Sequence, residues 1–211
     1  MRRSRLKQKG YETKARLLEV AAQLFAERGF NGAGVREICK QAKINISAIN
    51  YHFGSKKELY LEVFRTYLIP KTLEIRDNFK NLVSQKPKTL KGVVEALAEA
   101  VLLNPIDEKQ RKIIFSLIVR ELTNDSETSK FVLKKVLNPL LEEFSKAIYP
   151  FFSSKQDLKL FAFSVISQII FFNFFKPWIR EVFGTTSYTS EFKQKIIKHI
   201  AEFSTCLENF C

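Results

Sequence analysis

The sequence contains few of the residues from which metal centres and turn-rich folds are built. Its 211 residues include two histidines, His52 and His199, and three cysteines, Cys39, Cys206 and Cys211. No set of these residues has the spacing of zinc ligands, so we expect no structural metal. An odd number of thiols without a CxxC pair is typical of a reducing cytoplasm. With only seven glycines and six prolines, the composition favours helices over sheets and tight turns.

The motifs of the common enzyme classes are also missing. The chain has no glycine-rich phosphate loop, no GxSxG nucleophile elbow and no HExxH helix. We therefore predict that the protein is not an enzyme and has no catalytic residues and no cofactor. The basic N-terminus has no apolar stretch behind it, so it does not have the pattern of a signal peptide.

Acidic residues are scarce relative to basic ones, above all in the first third of the chain. The sequence has 35 lysines and arginines against 22 aspartates and glutamates, a net charge of +13. Residues 1–65 contain 14 basic and 6 acidic side chains, whereas residues 66–211 contain 21 and 16. Such an excess is expected where a protein meets a polyanion. We also expect residues 1–10 to form a flexible basic arm that adds phosphate contacts.

Residues 35–59, VREICKQAKINISAINYHFGSKKEL, have the pattern of two short helices separated by a tight turn. Apolar residues recur at three- and four-residue steps on the first helix until Lys43 interrupts them. Asn45 can cap the second helix, which extends to about His52 and leaves small and hydrogen-bonding side chains on its outer face. Gly54 can end that helix in a left-handed conformation. Ser55 and Glu58 then fit a capping box at the start of the next helix. This is the pattern of a helix-turn-helix that enters the major groove of DNA.

The stretch AKINISAINYHFGSKKELY within this region resembles the signature of TetR-type repressors. The matching residues are Ala42, Ile44, Ile49, Asn50, Tyr51, His52, Phe53, Lys56, Glu58 and Leu59. The resemblance implies a DNA-reading bundle of three helices and a larger helical domain that dimerises and senses a small molecule. Three residues depart from the signature, namely Gly34 in place of a capping Thr or Ser, Lys43 in place of Gly, and Asn50 in place of Tyr. A lysine forced into the left-handed conformation at the turn would cost about 1 kcal/mol.

Ten residues of the motif are predicted to bind DNA. They are Val35, Arg36, Asn45, Ile46, Ser47, Ala48, Asn50, Tyr51, His52 and Lys56. Arg36 can donate two hydrogen bonds to a guanine edge, a contact worth about 1–3 kcal/mol of discrimination, or it can contact phosphate only. Asn50 can read adenine with two hydrogen bonds. Tyr51 and His52 are expected to bond phosphates, and Lys56 would bind a phosphate at the start of a helix.

The whole chain is predicted to be all-α, with about nine helices. We expect residues 1–55 to form the DNA-binding domain and residues 56–211 to form a ligand-binding and dimerisation domain. The fourth helix should continue to about Leu82, and Pro70 should kink or break it near Ile69. Pro139 should kink the seventh helix in the same way, and Pro177 should stop the eighth.

A second resemblance covers part of the C-terminal domain. The stretch from Ile118 to Phe144, IVRELTNDSETSKFVLKKVLNPLLEEF, is similar to the corresponding stretch of CecR-type regulators. The matching residues are an Arg-Glu pair, Arg120 and Glu121, and Pro139 in the kinked helix that follows. The resemblance implies a regulatory domain of that branch.

The run LFAFSVISQIIFFNFF, from Leu160 to Phe175, contains sixteen uncharged residues. A bilayer span needs about 20 apolar residues. We therefore expect no membrane segment, but a helix buried on all sides within its own fold or a dimer.

Twenty phenylalanines, several of them close to the single tryptophan, leave two alternatives for the C-terminal domain. They could line a pocket for a small hydrophobic or aromatic effector, or they could fill the core and a homodimer interface built by the last two helices. The residues assigned to the pocket are Arg120, Gln168, Phe171, Asn173, Phe175 and Trp178. Each polar member of this set can equally be a satisfied core contact.

Together these features predict a cytoplasmic, ligand-responsive regulator of transcription. It would be a repressor that binds a palindromic operator in double-stranded DNA as a homodimer and is released by its effector. Two alternatives stay open, a constitutive DNA-binding protein without an effector and a helical binding protein that does not bind DNA.

Overall fold

The structure is a computed structural model that describes residues 2–184 and 188–207, and the side chains of residues 8–184 and 188–206. These residues form α-helices joined by turns, and no β-strand occurs among them. The helices are α1 (Arg2–Gly32), α2 (Val35–Ala42), α3 (Ser47–Phe53), α4 (Lys56–Val63), α5 (Ile69–Gln85), α6 (Leu90–Leu102), α7 (Glu108–Leu122), α8 (Glu127–Val132), α9 (Asn138–Ile148), α10 (Lys155–Phe174), α11 (Lys176–Phe183) and α12 (Ser190–Leu207). The predicted all-α fold is confirmed.

The chain divides into two compact units. Residues 1–70 and 107–133 form the first unit, which contains α1–α4, α7 and α8. Residues 71–106 and 134–211 form the second, in which α5, α6, α9, α10 and α12 share one apolar core. The region predicted to bind DNA lies in the first unit. The predicted division between a DNA-binding domain, residues 1–55, and a ligand-binding and dimerisation domain, residues 56–211, stays a prediction.

The N-terminal residues continue the first helix. Helix α1 begins at Arg2, although residues 1–10 were expected to form a flexible arm. Residues 2–9 contain no proline and no glycine, and a helix that is already nucleated can propagate through such a stretch. Met1, like Cys211, lies outside the described residues. A role of this segment in phosphate contacts stays a prediction.

A π turn precedes each of the two prolines that were expected to interrupt their helices. The π turn Phe64–Leu68 joins α4 to α5 just before Pro70, and the π turn Leu133–Leu137 joins α8 to α9 just before Pro139. Proline offers no N–H to the preceding turn and its ring needs room there, which a wider turn provides. Because each joined pair is one continuous helix, the described residues form ten helices rather than about nine.

Helix α11 is the additional helix that was not expected. Pro177 was predicted to stop the preceding helix, and α10 does end at Phe174. A new helix begins two residues later with Pro177 in its first turn. Proline is compatible with that position because the first N–H groups of a helix have no partner within it.

Within the single chain, helix α10 is buried on one side only, so of the two alternatives, burial on all sides within its own fold is not observed and burial in a dimer stays a prediction. Leu158, Phe161 and Val165 pack into the core of the second unit, whereas Leu160 is 62% and Phe163 is 67% exposed. Among the described residues α10 is the one helix long and apolar enough to cross a membrane. Its inner face belongs to a packed core, as is usual for a core helix of similar composition.

Candidate nucleic-acid interface

The turn of the helix-turn-helix adopts the geometry that the sequence predicts. Helix α2 buries Ile38, Cys39 and Ala42 and ends at Lys43, whose φ of 55° and ψ of 45° are left-handed. The Lys43 N–H donates to the Lys40 carbonyl at 3.1 Å, and the next N–H, of Ile44, donates to the Cys39 carbonyl at 2.9 Å. The lysine therefore takes the place of the usual glycine while the helix-ending hydrogen bonds are kept.

Asn45 fixes the start of the second helix of the motif. Its Oδ1 accepts hydrogen bonds from the N–H and from the Oγ of Ser47, each at 3.0 Å. Helix α3 begins at Ser47, two residues after Asn45, and Ile49 is buried beneath it. The cap position of α3 is thus Ile46 rather than the predicted Asn45, and Asn45 supports the helix start from one residue earlier. The outer face of α3 stays exposed.

The ten predicted DNA-binding residues lie on the outer surface of this motif. Six are exposed, namely Arg36, Asn45, Ile46, Ser47, Asn50 and Tyr51, and four are half-buried, namely Val35, Ala48, His52 and Lys56. Tyr51 has the greatest exposure among the large apolar side chains that the structure describes, at 85%. An exposed row of polar and small side chains on a helix this short has the form of a surface that reads base edges.

Lys56 lies at the start of α4, beside the motif. Ser55 caps this helix, with its Oγ accepting from the Glu58 N–H at 3.1 Å. The second half of the expected capping box is missing, because the Glu58 carboxylate accepts from Arg65 at 3.2 Å instead. The Lys56 ammonium lies 4.6 Å from the centre of the Phe30 ring. Among the described residues no carboxylate lies within ion-pair distance of Lys56 or Arg36, so both charges are available to a polyanion.

Two ion pairs support the motif from its inner side. Arg28 pairs with Glu37 at 2.6 Å, and Lys14 pairs with Glu62 at 2.8 Å. The hydrogen bond from Lys14 is the main reason why the pKa of the Glu62 carboxyl lies below its usual value. These pairs connect α1 to α2 and to α4, the helices on either side of α3 in the chain.

The buried Cys39 belongs to the core of this bundle. Burial raises the pKa of its thiol, as expected for an inert core cysteine. No three His, Cys, Asp or Glu side chains within residues 2–184 and 188–207 are arranged to hold a metal ion.

Arg120, which the sequence assigns to an effector pocket, lies in the first unit and bonds to α1. Its Nε–H donates to the Ala26 carbonyl at 3.3 Å and its Nη2–H to the Glu27 carbonyl at 2.8 Å. The other five residues of the predicted pocket lie in the second unit. The hydrogen bonds of Arg120 therefore fit the second alternative, in which this side chain makes a structural contact within the fold.

Three aromatic members of the predicted pocket are brought together. Phe171 stacks on Phe175 at 4.9 Å and meets Trp178 edge-on at 5.4 Å. Gln168 and Asn173 are close to them in the sequence, while Trp178 is 59% exposed. Their role in effector binding stays a prediction.

Two cavities occur elsewhere, and neither is lined by any of those six residues. One is an apolar groove of about 810 Å³ in the second unit, lined by Leu141, Glu142, Ser145, Lys146, Tyr149, Lys155, Leu158, Lys159, Leu160 and Phe163. The other, of about 470 Å³, lies in the first unit and is lined by Phe30, Asn31, Lys57, Tyr60, Glu121, Asn124, Asp125, Ser126, Glu127 and Thr128.

The second cavity borders a buried polar contact that the sequence analysis missed. The Tyr60 hydroxyl donates to Glu121 Oε1 at 2.7 Å, and Ser126 Oγ donates to Glu121 Oε2 at 3.3 Å. Burial, reinforced by the bond to Glu121, raises the pKa of the Tyr60 phenol well above its usual range. The sequence signal that could have found this contact is the Arg-Glu pair, since a charged residue on the inner face of a helix requires a partner.

These features define the class of the protein. It is an all-helical helix-turn-helix protein whose recognition helix has an exposed outer face, and it has a second compact unit that is also helical.

Known families agree with this class. Residues 17–63 match the family of bacterial regulatory proteins of the tetR type. Residues 90–207, more than half of the chain, match the family defined by the C-terminal domain of the HTH-type transcriptional dual regulator CecR. The chain belongs to the TetR family, with a C-terminal domain of the CecR type.

Individual relatives resemble the chain in part. The probable HTH-type transcriptional regulator YttP of Bacillus subtilis (strain 168) is 29% identical over 129 residues, which cover 59% of this chain and 58% of YttP. The transcriptional dual regulator CecR of Shigella flexneri is 51% identical over 53 residues, or 25% of this chain and 23% of CecR. The chain thus aligns with less than two thirds of the length of these curated relatives.

Solved structures agree with the fold over most of the chain. HlyIIR, a hemolysin II transcriptional regulator, superposes with a TM-score of 0.58 at 19% identity, covering 90% of this chain and 97% of HlyIIR. A transcriptional regulator from Aquifex aeolicus VF5 superposes with a TM-score of 0.56 at 21% identity, covering 92% and 99%. At these identities the likeness concerns the fold alone.

Proposed function

We propose that this protein is a cytoplasmic, ligand-responsive transcriptional repressor that binds a near-palindromic operator as a homodimer. A small hydrophobic or aromatic effector would release it, by binding more tightly to the state in which the two recognition helices do not match the operator spacing. The ligand can shift this equilibrium only by its difference in affinity for the two states.

The observation that carries DNA binding is the free outer face of α3. Ser47, Asn50 and Tyr51 are exposed, and the adjacent cations of Arg36 and Lys56 have no carboxylate partner among the described residues. In this arrangement Arg36 and Asn50 read base edges, while Lys56 binds a phosphate with the N–H groups at the start of α4. The phosphate contacts supply affinity and the base contacts supply preference.

The apolar outer faces of the last long helices support the homodimer. Leu160 and Phe163 on α10 and Phe203 on α12 are between 47% and 67% exposed in the single chain. Exposed large apolar side chains in a row are typical of a surface that a partner covers. Two copies of α10 and α12 would form a four-helix interface, which would present two recognition helices to one operator.

The effector is proposed from the aromatic residues of the second unit. Phe171, Phe175 and Trp178 form a cluster that could accept an apolar ligand, with Gln168 and Asn173 as candidates for orienting it. The names of relatives include an activator, FasR, a repressor, KstR2, and the dual regulator CecR, so the direction of regulation needs its own measurement. Transcription from the recovered operator, with and without the protein, decides between repression and activation.

The experiment that tests DNA binding starts with selection of bound duplexes from random DNA. Arg36→Ala should relax preference at particular positions of the selected duplex. Lys56→Ala should weaken the selected and a scrambled duplex about equally. The proposal fails if the wild-type protein binds no duplex in a salt-dependent way. It also fails if each variant weakens binding to the selected and to the scrambled duplex by the same factor. Screening compounds for release of the selected duplex then tests the effector, and a constitutive regulator would be released by none.

A further inference from the structure

We propose that the adjacent residues Arg120 and Glu121 of α7 position the DNA-binding surface. They hold in place the bend of α1 at Gly29 and Phe30, which we call the corner. Through the Phe30 ring they also orient the ammonium group of Lys56. This inference rests on the proposed function, because it takes Lys56 as a phosphate contact. Since Arg120 and Glu121 act through other side chains, they are positioning residues and would not touch DNA.

Arg120 holds the corner from one side. Its two hydrogen bonds go to the carbonyls of Ala26 and Glu27, in the last turn before Gly29 interrupts the helix with a φ of 73°. Carbonyls at a helix end lack partners within the helix, and a cation there is favoured by the helix dipole. A Cβ atom at Gly29 would lie 3.2 Å from Arg120 Nη1, so the guanidinium packs directly against the corner.

Glu121 holds the corner from the other side through Tyr60. Both side chains are buried, with exposures of 6% and 2%, and their 2.7 Å hydrogen bond fixes the Tyr60 ring. That ring lies 5.3 Å from the ring of Phe30 and 4.7 Å from the ring of Phe25. A buried carboxylate without its donors would be strongly unfavourable, so this hydrogen bond favours one arrangement of α4 against α7.

Phe30 in turn orients the lysine. The Lys56 ammonium lies 4.6 Å from the ring centre, within the range of a cation–π interaction. No described carboxylate competes for this ammonium group, so the ring is the neighbour that sets its direction. Helix α7 is therefore connected to a phosphate-binding charge by a continuous series of side-chain contacts within the first unit.

The salt dependence of DNA binding separates this positioning role from a merely structural one. Each phosphate contact that is removed reduces the magnitude of the slope of log K against log salt by about 0.9. Because the proposed homodimer carries Lys56 in both protomers, loss of this contact should reduce the magnitude by about 1.8 and weaken binding by about sixtyfold at about 0.1 M salt. We expect Phe30→Leu and Arg120→Met to lower the slope as Lys56→Ala does. Combining Phe30→Leu with Lys56→Ala should weaken binding no further, because both remove the same phosphate contact. Glu121→Gln keeps an oxygen that can accept from Tyr60, so it should retain the wild-type slope.

A matched control is Ile114→Val, which removes a methyl group from another buried residue of α7. It should lower thermal stability and leave the salt slope unchanged. The inference is overturned if Phe30→Leu and Arg120→Met are folded by circular dichroism and keep the wild-type slope, or if the effects of Phe30→Leu and Lys56→Ala add. Should Arg120→Met fail to fold, Tyr60→Phe, which removes the hydrogen bond to Glu121, takes its place. It should reduce the magnitude of the slope in the same way, and a wild-type slope would overturn the inference. A Lys56→Ala variant with the wild-type slope would refute the proposed phosphate contact instead.

Discussion

Replacement of Tyr60 by phenylalanine isolates the contribution of one buried hydrogen bond. The phenylalanine ring would keep its edge-on contacts, 4.7 Å from Phe25 and 5.1 Å from Phe64, so no large cavity is created. The Glu121 carboxylate would lose the shorter of its two hydrogen bonds and keep the one from Ser126. A buried acceptor left without its donor costs about 1–3 kcal/mol, and more when it is charged. We therefore expect destabilisation by about 2–3 kcal/mol, or about 2–4 °C in Tm for each kcal/mol in a chain of this length.

A double-mutant cycle in urea, followed by circular dichroism, measures this contribution. The cycle combines Tyr60→Phe with Glu121→Met, which replaces the carboxylate by an apolar side chain of similar length. Because the double variant leaves neither partner unsatisfied, it should be more stable than the sum of the single effects implies, by about 1 kcal/mol or more. Single effects that simply add, or a Tyr60→Phe variant within about 0.5 kcal/mol of wild type, would refute the reasoning.

Three further predictions concern the support of the motif and the assembly. Lys14 lowers the pKa of Glu62, so the contribution of this carboxylate to stability is present above the unfolded-state pKa of about 4.3 and disappears as the pH falls through the folded-state value. The stability difference between wild type and Glu62→Gln should accordingly shrink between pH 7 and about pH 3 in urea titrations, and a constant difference would contradict this. Gly29→Ala should destabilise the chain by about 1–2 kcal/mol, because of the φ of 73° and the proximity of Arg120, and a melting curve equal to that of wild type would exclude this strain. Phe163→Lys should sediment as a monomer with unchanged helix content, since this exposed side chain lies in the proposed dimer face, and a persistent dimer would rule out that face.

The helix-turn-helix could be predicted from the sequence because its signals are local. The helix end at Lys43, the support of α3 by Asn45 and the cap at Ser55 each depend on hydrogen bonds within a few residues. The π turns before Pro70 and Pro139 follow equally from local chemistry, since proline lacks an N–H and needs room in the preceding turn. Where one residue and its immediate neighbours determine the local backbone, the sequence pattern was sufficient to predict it.

Contacts between distant residues could not be predicted in this way. Tyr60 and Glu121 are 61 positions apart, and nothing in the helical periodicity of either segment specifies the other. The same reason explains why Arg120 was assigned to a pocket, since an arginine near an apolar helix face has the same pattern whether it meets a ligand or a backbone carbonyl. Its partners became evident only once α7 was seen beside α1.

Helix α10 shows a different limit. Its sixteen-residue uncharged run has no polar face, so the pattern could not separate the side that packs in the core from the side that carries Leu160 and Phe163. Burial on all sides was predicted either within the fold or within a dimer, and the single chain contradicts only the first alternative. A homodimer would supply the missing neighbours, which is why the assembly state matters for this region.

Repeating the selection of DNA duplexes with an Asn50→Ala variant tests the central claim most directly. Asn50 is exposed on α3 and is proposed to read one base in each half-site. The account predicts that the variant selects the same near-palindrome without the preference at one symmetric pair of positions. An unchanged motif in the duplexes selected by the folded variant would contradict the assignment of α3 as the reading helix.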